Sequence, residues 1–262
     1  MNRPTVLVTG GAKRIGAAIS RRFGAAGWHV VIHCNHSVTA AEALAAELPS
    51  AEVIRCDLAD GDAAVAMIEA LAAGTPDWRA LVNSASIFIP DTVTKLDSAT
   101  YSLAMQVNAR TPAAMAQAYL GAARSAAGRR VIQVTDQKIA NPNPDFFSYT
   151  MSKHALAATV PMLAMHVLSL AEGAAAPDDR IYALAPGAIL ASHDQDNAEA
   201  EVSHRMNLLR RRTGAGEVAD AVFFLATGPL ASGQTLFVDS GQHLLAQRRD
   251  VMYLEREGDH SA

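Results

Sequence analysis

The chain has 262 residues, with 22 Lys and Arg against 26 Asp and Glu for a formal net charge of -4; half of it (50%) is hydrophobic and only 18% is charged. That composition can bury one large core and excludes disorder for all but the ends, while the slight acidic excess removes the usual electrostatic footing of a nucleic-acid binder. No apolar run reaches the roughly 18–20 residues that a membrane-spanning helix needs.

From the N-terminus, Val6-Leu7-Val8 leads straight into a glycine turn, and no cleavable secretory leader is expected. Short β-branched runs then alternate with Ala-rich stretches of helical character. Strands are expected at residues 5–9, 29–33, 52–56, 80–83, 130–135, 180–183 and 235–238, each nearly all apolar, as strands covered on both faces should be. Helices are expected near 15–26, 39–48, 62–73, 98–126 and 148–171, with a short one after Gly216. Seven strands and six crossovers make one domain, residues 1–246, a Rossmann-type doubly wound parallel α/β sheet with helices on both faces. A loop near 190–212 would cover a substrate, and 247–262 would be a loosely held tail. Ligands of such sheets bind beyond the C-terminal ends of the strands, so the chemistry is expected just after each strand. Cys34 and Cys56 form no paired motif and are expected to be free thiols in a cytoplasmic protein.

After the first strand comes Thr9-Gly10-Gly11-Ala12-Lys13-Arg14-Ile15-Gly16, running into the first helix. A strand, a tight glycine turn and a helix N-terminus together present backbone N–H groups and a positive dipole end to a diphosphate. Lys13 and Arg14 add two cations beside it. At the end of the second strand an NAD-selective site would place an acid against the ribose hydroxyls; here stand His33-Cys34-Asn35-His36-Ser37. With no carboxylate to repel a 2′-phosphate, and Arg14, His36 and Ser37 able to donate to it, NADPH is expected over NADH. The plainer alternative is that these polar residues only form the loop.

The second informative stretch is Ser148-Tyr149-Thr150-Met151-Ser152-Lys153, opening the helix after the fifth strand. Residues four apart share a helix face, so Tyr149 and Lys153 can point into one site. An unperturbed phenol, with a pKa of about 10, is a poor acid–base catalyst at neutral pH; an adjacent ammonium is expected to favour its anion and lower that pKa.

With these two segments in place, the chain resembles the short-chain dehydrogenase/reductase family from Thr9 to about Leu244. The resemblance continues through Asp57-Leu58, where the adenine usually lies, Asn83-Ser84-Ala85-Ser86 for the usual Asn-Asn-Ala-Gly, and Asn108, which matches the helix asparagine of the family's proton relay. Tyr149 and Lys153 match the catalytic pair, Pro186-Gly187 follow the sixth strand, and Val238-Asp239-Ser240-Gly241 resemble the closing strand motif. The resemblance implies a dinucleotide site formed by Gly10, Lys13, Arg14, Ile15, Gly16, His36, Ser37, Asp57, Leu58, Asn83, Ala85, Tyr149, Lys153, Pro186 and Gly187.

Three departures narrow it. Arg14 replaces the middle glycine of the turn, Ser86 the last glycine of the second motif, and Asp136 the usual catalytic serine. All three are similar to the pteridine reductase and dihydromonapterin reductase branch, which implies substrate contacts from Arg14, Ser86, Phe88, Asp136 and Tyr149, with the Phe88 ring sandwiching a pterin against nicotinamide. Asp136 also has a reading from charge alone. A ketone reductase builds negative charge on oxygen, which a carboxylate about 4 Å away would oppose by roughly 4 kcal/mol at an effective dielectric of 20. Protonating an imine nitrogen creates a positive centre instead, and there a carboxylate helps.

The expected activity is thus NADPH-dependent reduction of a dihydropterin such as dihydromonapterin, dihydrobiopterin or dihydrofolate, with Asp136, Tyr149, Lys153 and Asn108 as catalytic residues. A ketone or 3-oxoacyl reductase of the same fold, and a non-catalytic NADPH-binding protein, are the alternatives. The histidines show no metal-ligand spacing, so no metal is expected. Family members usually pair through their two long helices, which implies a homotetramer.

Overall fold

The computed structural model describes residues 3–171, 178–191 and 195–256. Seven strands, β1 (Thr5–Val8), β2 (His29–Cys34), β3 (Ala51–Arg55), β4 (Trp78–Asn83), β5 (Arg130–Val134), β6 (Arg180–Pro186) and β7 (Thr235–Val238), form one parallel sheet in the order β3-β2-β1-β4-β5-β6-β7. Alternate strand residues feed opposite faces, as the pleat requires. Val6, Val8, Ile32, Tyr182 and Leu184 pack on one side with Ile19 and Phe23 of α1 (Arg14–Ala25) and Val222 and Leu225 of α8 (Ala215–Thr227). Leu7, Val31, Leu81, Ile181 and Ala183 pack on the other, under α3 (Gly61–Gly74), α5 (Thr111–Ala122) and α6 (Phe147–Ala171). α2 (Val38–Glu47) joins β2 to β3.

The strand order reverses at β1, which lies between β2 and β4. A doubly wound sheet opens its ligand crevice at such a point. Thr9 bridges it, its Oγ1 accepting from the backbone N–H of Ser84 (2.9 Å) and Ala85 (3.0 Å).

Three elements differ from expectation. The helix expected over 98–126 is α4 (Ser98–Met105), a wider π-type turn (Gln106–Arg110) and α5. Pro112 has no N–H to give the Asn108 carbonyl four residues back, so the ladder slips by one and Thr111 N–H bonds to the Gln106 carbonyl. The segment expected as a substrate loop contains α7 (Asn197–Ser203), started by a capping box in which Asp196 and Glu199 satisfy each other's backbone N–H; its residues 192–194 lie outside the described residues. The stretch from Gln247, expected to be loose, forms α9 (Val251–Arg256) with Val251 and Met252 buried, while 257–262 lie outside the described residues. Its polar composition hides the fact that its charges are paired with the loop after β5.

Candidate active site

A cavity of about 460 Å³ opens at the C-terminal ends of β1, β4, β5 and β6. Its dinucleotide side is built by the glycine turn. Gly10 has φ +63, and a Cβ there would lie only 3.0 Å from the Cα of Ala85, while a Cβ on Gly16 would collide with the Gly10 carbonyl. Arg14 also adopts a positive φ of 54, the conformation expected of the glycine it replaces, and its guanidinium donates to the Leu190 carbonyl at 3.2 Å. That contact carries the side chain toward the substrate segment. Lys13, Ile15, Ala85, Pro186 and Gly187 line the same cavity. Gly187 is required there because a Cβ would meet Asp239 Cβ at 2.7 Å.

His33 braces this turn from behind. It is 2% exposed, its Nδ1 accepts from Gly10 N–H at 3.2 Å, and its Nε2 faces the Cys56 carbonyl at 3.0 Å. Gly10 as donor assigns the neutral tautomer with the proton on Nε2, and burial lowers the imidazole pKa to about 4. The segment 33–37 reads as a phosphate-side loop, and nothing in the spacing marks His33 as the strut of the neighbouring turn.

Several expected site residues stand outside the cavity. His36 is exposed and Ser37 half-buried beyond the end of β2, where Arg55 Nε donates to the Asn35 carbonyl at 3.1 Å and so brings a further cation beside them. Asp57 borders a separate shallow concavity with Gln106 and Arg110. Leu58 is core, its carbonyl taken by Thr111 Oγ1. Asn83 ties strands together by donating to Gln133 Oε1 (2.9 Å) and the Pro112 carbonyl (3.2 Å). Asn108, in the π-type turn, clips the backbone of Ile87 in both directions (2.8 and 3.0 Å), donates to Ser152 Oγ (3.1 Å) and accepts from Ser86 Oγ (3.2 Å). It is fully buried and acts on the shape of the 86–88 loop.

The reacting end of the cavity gathers Asp136, Tyr149, Lys153 and Phe88. α6 carries Tyr149 and Lys153, and its first turn is held by Asp91, which accepts from Ser148 N–H (3.0 Å) and Ser148 Oγ. Asp136 caps the turn after β5, its Oδ1 accepting from Lys138 N–H at 2.8 Å; its Oδ2 accepts the Tyr149 hydroxyl at 2.8 Å. Lys153 donates to the Val134 carbonyl at 2.8 Å and lies over the Tyr149 ring, 5.6 Å from its centre. The expected lowering of the phenol pKa is therefore reversed. Burial and the Asp136 carboxylate push Tyr149 well above its ordinary value. Burial raises Asp136, against the pull of Lys138, and lowers Lys153 to about 8. Phe88 stacks on Phe146 (3.9 Å, 20°) and meets Tyr149 edge-on (4.7 Å, 87°). Lys138, His204, Gln242, Asp250 and Val251 also line the cavity, none of them marked by any motif. Among the described residues no group of three or more His, Cys, Asp or Glu is gathered to hold a metal ion, and no helix is long and apolar enough to cross a membrane.

The family profile described as enoyl-(acyl carrier protein) reductase matches residues 10–243. The dihydromonapterin reductase of Citrobacter koseri is 27% identical over 246 residues, covering 93% of this chain and 98% of that protein. The crystal structure of FolM alternative dihydrofolate reductase 1 from Brucella suis in complex with NADP is similar at a TM-score of 0.84 and 33% identity, over 94% of this chain and 97% of that one. The angucycline C-6 ketoreductase LanV with bound NADP gives 0.81 at 25% identity, over 92% and 96%. With one profile spanning nearly the whole sheet and a relative one-third identical end to end, the chain belongs to the short-chain dehydrogenase/reductase family.

Proposed function

We propose that the protein is an NADPH-dependent reductase that delivers hydride to the C=N bond of a dihydropterin, giving the tetrahydro form. The observation that carries this reading is the Tyr149 to Asp136 hydrogen bond at the reacting end of the cavity. Names support it: the Citrobacter koseri relative is a dihydromonapterin reductase, and the Brucella suis structure is called an alternative dihydrofolate reductase.

The residues present fit the dinucleotide. Gly10 and Gly16 leave a cradle that a Cβ would fill, the N-terminus of α1 points its free N–H groups there, and Lys13 and Arg14 supply cations on its rim. NADPH, when bound, supplies the hydride. The protein's part is to orient the acceptor ring and handle one proton. Phe88, with one face closed by Phe146, offers the rest of its ring to a planar substrate. Asp136 stabilises a positive ring nitrogen, and Tyr149, held protonated by burial and by Asp136, gives that nitrogen its proton. Lys153, over the phenol ring, offsets the negative charge left on Tyr149 until solvent restores the proton. Asn108 fixes the loop that carries Phe88, a positioning role in place of the expected relay.

Steady-state kinetics with NADPH against a panel of dihydropterins and simple ketones tests the reading: kcat/KM should favour a dihydropterin by at least a hundredfold. A preference for ketones would make the enzyme a ketoreductase, the activity named for LanV.

The free thiols Cys34 and Cys56 support a reducing, cytoplasmic setting. α6 also turns Met162 (60% exposed), Met165 (69%) and Leu168 (56%) outward on one helical stripe, which supports pairing of long helices between copies in a tetramer. Light scattering should return four chain masses at micromolar concentration; a single chain mass would remove the tetramer.

A further inference from the structure

The strongest structure not used by the reaction so far is a buried ion pair at the cavity wall. Lys138, only 4% exposed, places Nζ 2.7 Å from Asp250 Oδ2 and also donates to Asn143 Oδ1 (3.3 Å) and the Asp145 carbonyl (3.4 Å). The backbone N–H of the same Lys138 donates to Asp136 Oδ1. Asp250 arrives from the C-terminal segment, which is itself docked twice on Asp145: Asp250 N–H donates to Asp145 Oδ2 at 2.8 Å, and Arg249 Nε pairs with the same oxygen at 2.8 Å. Tyr253 of α9 closes the aromatic stack behind Phe146 (5.9 Å, 22°). A continuous set of bonds thus runs from the Tyr149 hydroxyl, through Asp136 and Lys138, to α9.

We propose that Lys138 and Asp250 are positioning residues that act on the Asp136–Tyr149 pair from opposite sides of charge, Lys138 holding Asp136 ionised and Asp250 moderating Lys138. The physical need is plain. A carboxylate withdrawn from water drifts toward its neutral form unless a cation is fixed nearby, and a cation buried with no counterion is itself costly. The charged or titratable groups that line the cavity with Asp136 are Tyr149 and Lys153 from α6, Lys13 and Arg14 from the glycine turn, His204 from the end of α7, Lys138 from its own segment, and Asp250. Lys138 and Lys153 both favour the Asp136 carboxylate by their charge, Lys138 the more strongly, and Lys138 is also bonded through its backbone N–H into the Asp136 turn.

The inference rests on Asp136 acting as an anion in pterin reduction, and the test separates the two. With dihydromonapterin as substrate, the pH dependence of kcat/KM and the Kd for NADPH are measured for the full-length wild type, Lys138→Met, Lys138→Arg, Asp250→Asn and Asp136→Ser. In Lys138→Met the acid limb should move to higher pH and kcat should fall ten- to a hundredfold, with NADPH Kd within twofold; Lys138→Arg should recover most of it. In Asp250→Asn, where the ammonium is no longer moderated, the acid limb should move to lower pH. Opposite displacements are what a merely structural pair cannot produce, since loss of packing lowers the melting temperature in both without parting the limbs. Limbs that stay with wild type, or move together, while Asp136→Ser is crippled overturn this inference alone. Wild-type turnover by Asp136→Ser overturns the underlying reading.

Discussion

The hydroxyl of Tyr149 donates to Asp136 Oδ2 at 2.8 Å, while the ammonium of Lys153 bonds to the Val134 carbonyl. The phenol is thus hydrogen-bonded to a carboxylate, which together with burial keeps its proton in place. Asp136→Ser should lower single-turnover reduction of a dihydropterin by roughly a hundredfold to ten-thousandfold, with Tyr149→Phe at least as damaging. NADPH affinity should change little in either, because neither group is assigned to the phosphates. Rapid-mixing absorbance at the nicotinamide band checks both.

His33 links the glycine turn to acid stability. Its folded pKa of about 4 lies below the ordinary 6.5, so the folded chain resists a proton that the unfolded chain accepts. That contribution is full above pH 6.5 and is lost as pH falls toward 4, at most about 3 kcal/mol for a shift of this size. Urea midpoints between pH 4 and 7 should rise with pH in the wild type. His33→Gln, which cannot titrate, should flatten that slope while lowering stability at pH 7.

Gly16→Ala should damage the cofactor half selectively. Its new Cβ would run into the Gly10 carbonyl, a backbone atom that cannot step aside without opening the turn. A cost of roughly 1–3 kcal/mol is expected from such overpacking, together with loss of NADPH binding by fluorescence titration. Gly74→Ala, where a Cβ would meet nothing within 4 Å, should leave binding unchanged.

Cofactor choice should depend on the absent acid after β2. His36→Asp places a carboxylate beside Ser37, where it can accept from ribose hydroxyls and repel a 2′-phosphate. NADPH efficiency should fall tenfold or more and NADH efficiency should rise; an unchanged ratio would move 2′-phosphate recognition elsewhere, with Arg55 the next residue to replace.

The sheet was legible because each strand is an apolar run between a turn and an Ala-rich helix. Asp136 was legible because a carboxylate in place of a hydroxyl changes which transition-state charge is tolerated. Other features depend on which atom a side chain reaches, and spacing is silent about that. Tyr149 and Lys153 share a face as four-residue spacing requires, yet the lysine bonds to Val134 and leaves the phenol to Asp136. The helix expected as continuous over 98–126 is broken ahead of Pro112, and Asn108, in the slipped turn, bonds to Ile87. The stretch 247–256 looks like a solvated tail because its burial depends on Asp145, 104 residues away from Arg249.

β5 is made before the strand that covers its free edge. Its other edge can pair with β4 at once, but β6 begins at Arg180, so at ordinary synthesis rates of about 5–20 residues per second the row Arg130–Val134 waits a few seconds on the ribosome with unpaired backbone groups. Parallel pairing between distant segments is slow as well, because loop-closure entropy is lost before the contacts form. The interval between β5 and β6 is therefore one in which this chain needs a chaperone, and substitutions that raise the hydrophobicity of 130–134 should cost soluble yield before they cost anything in the folded protein.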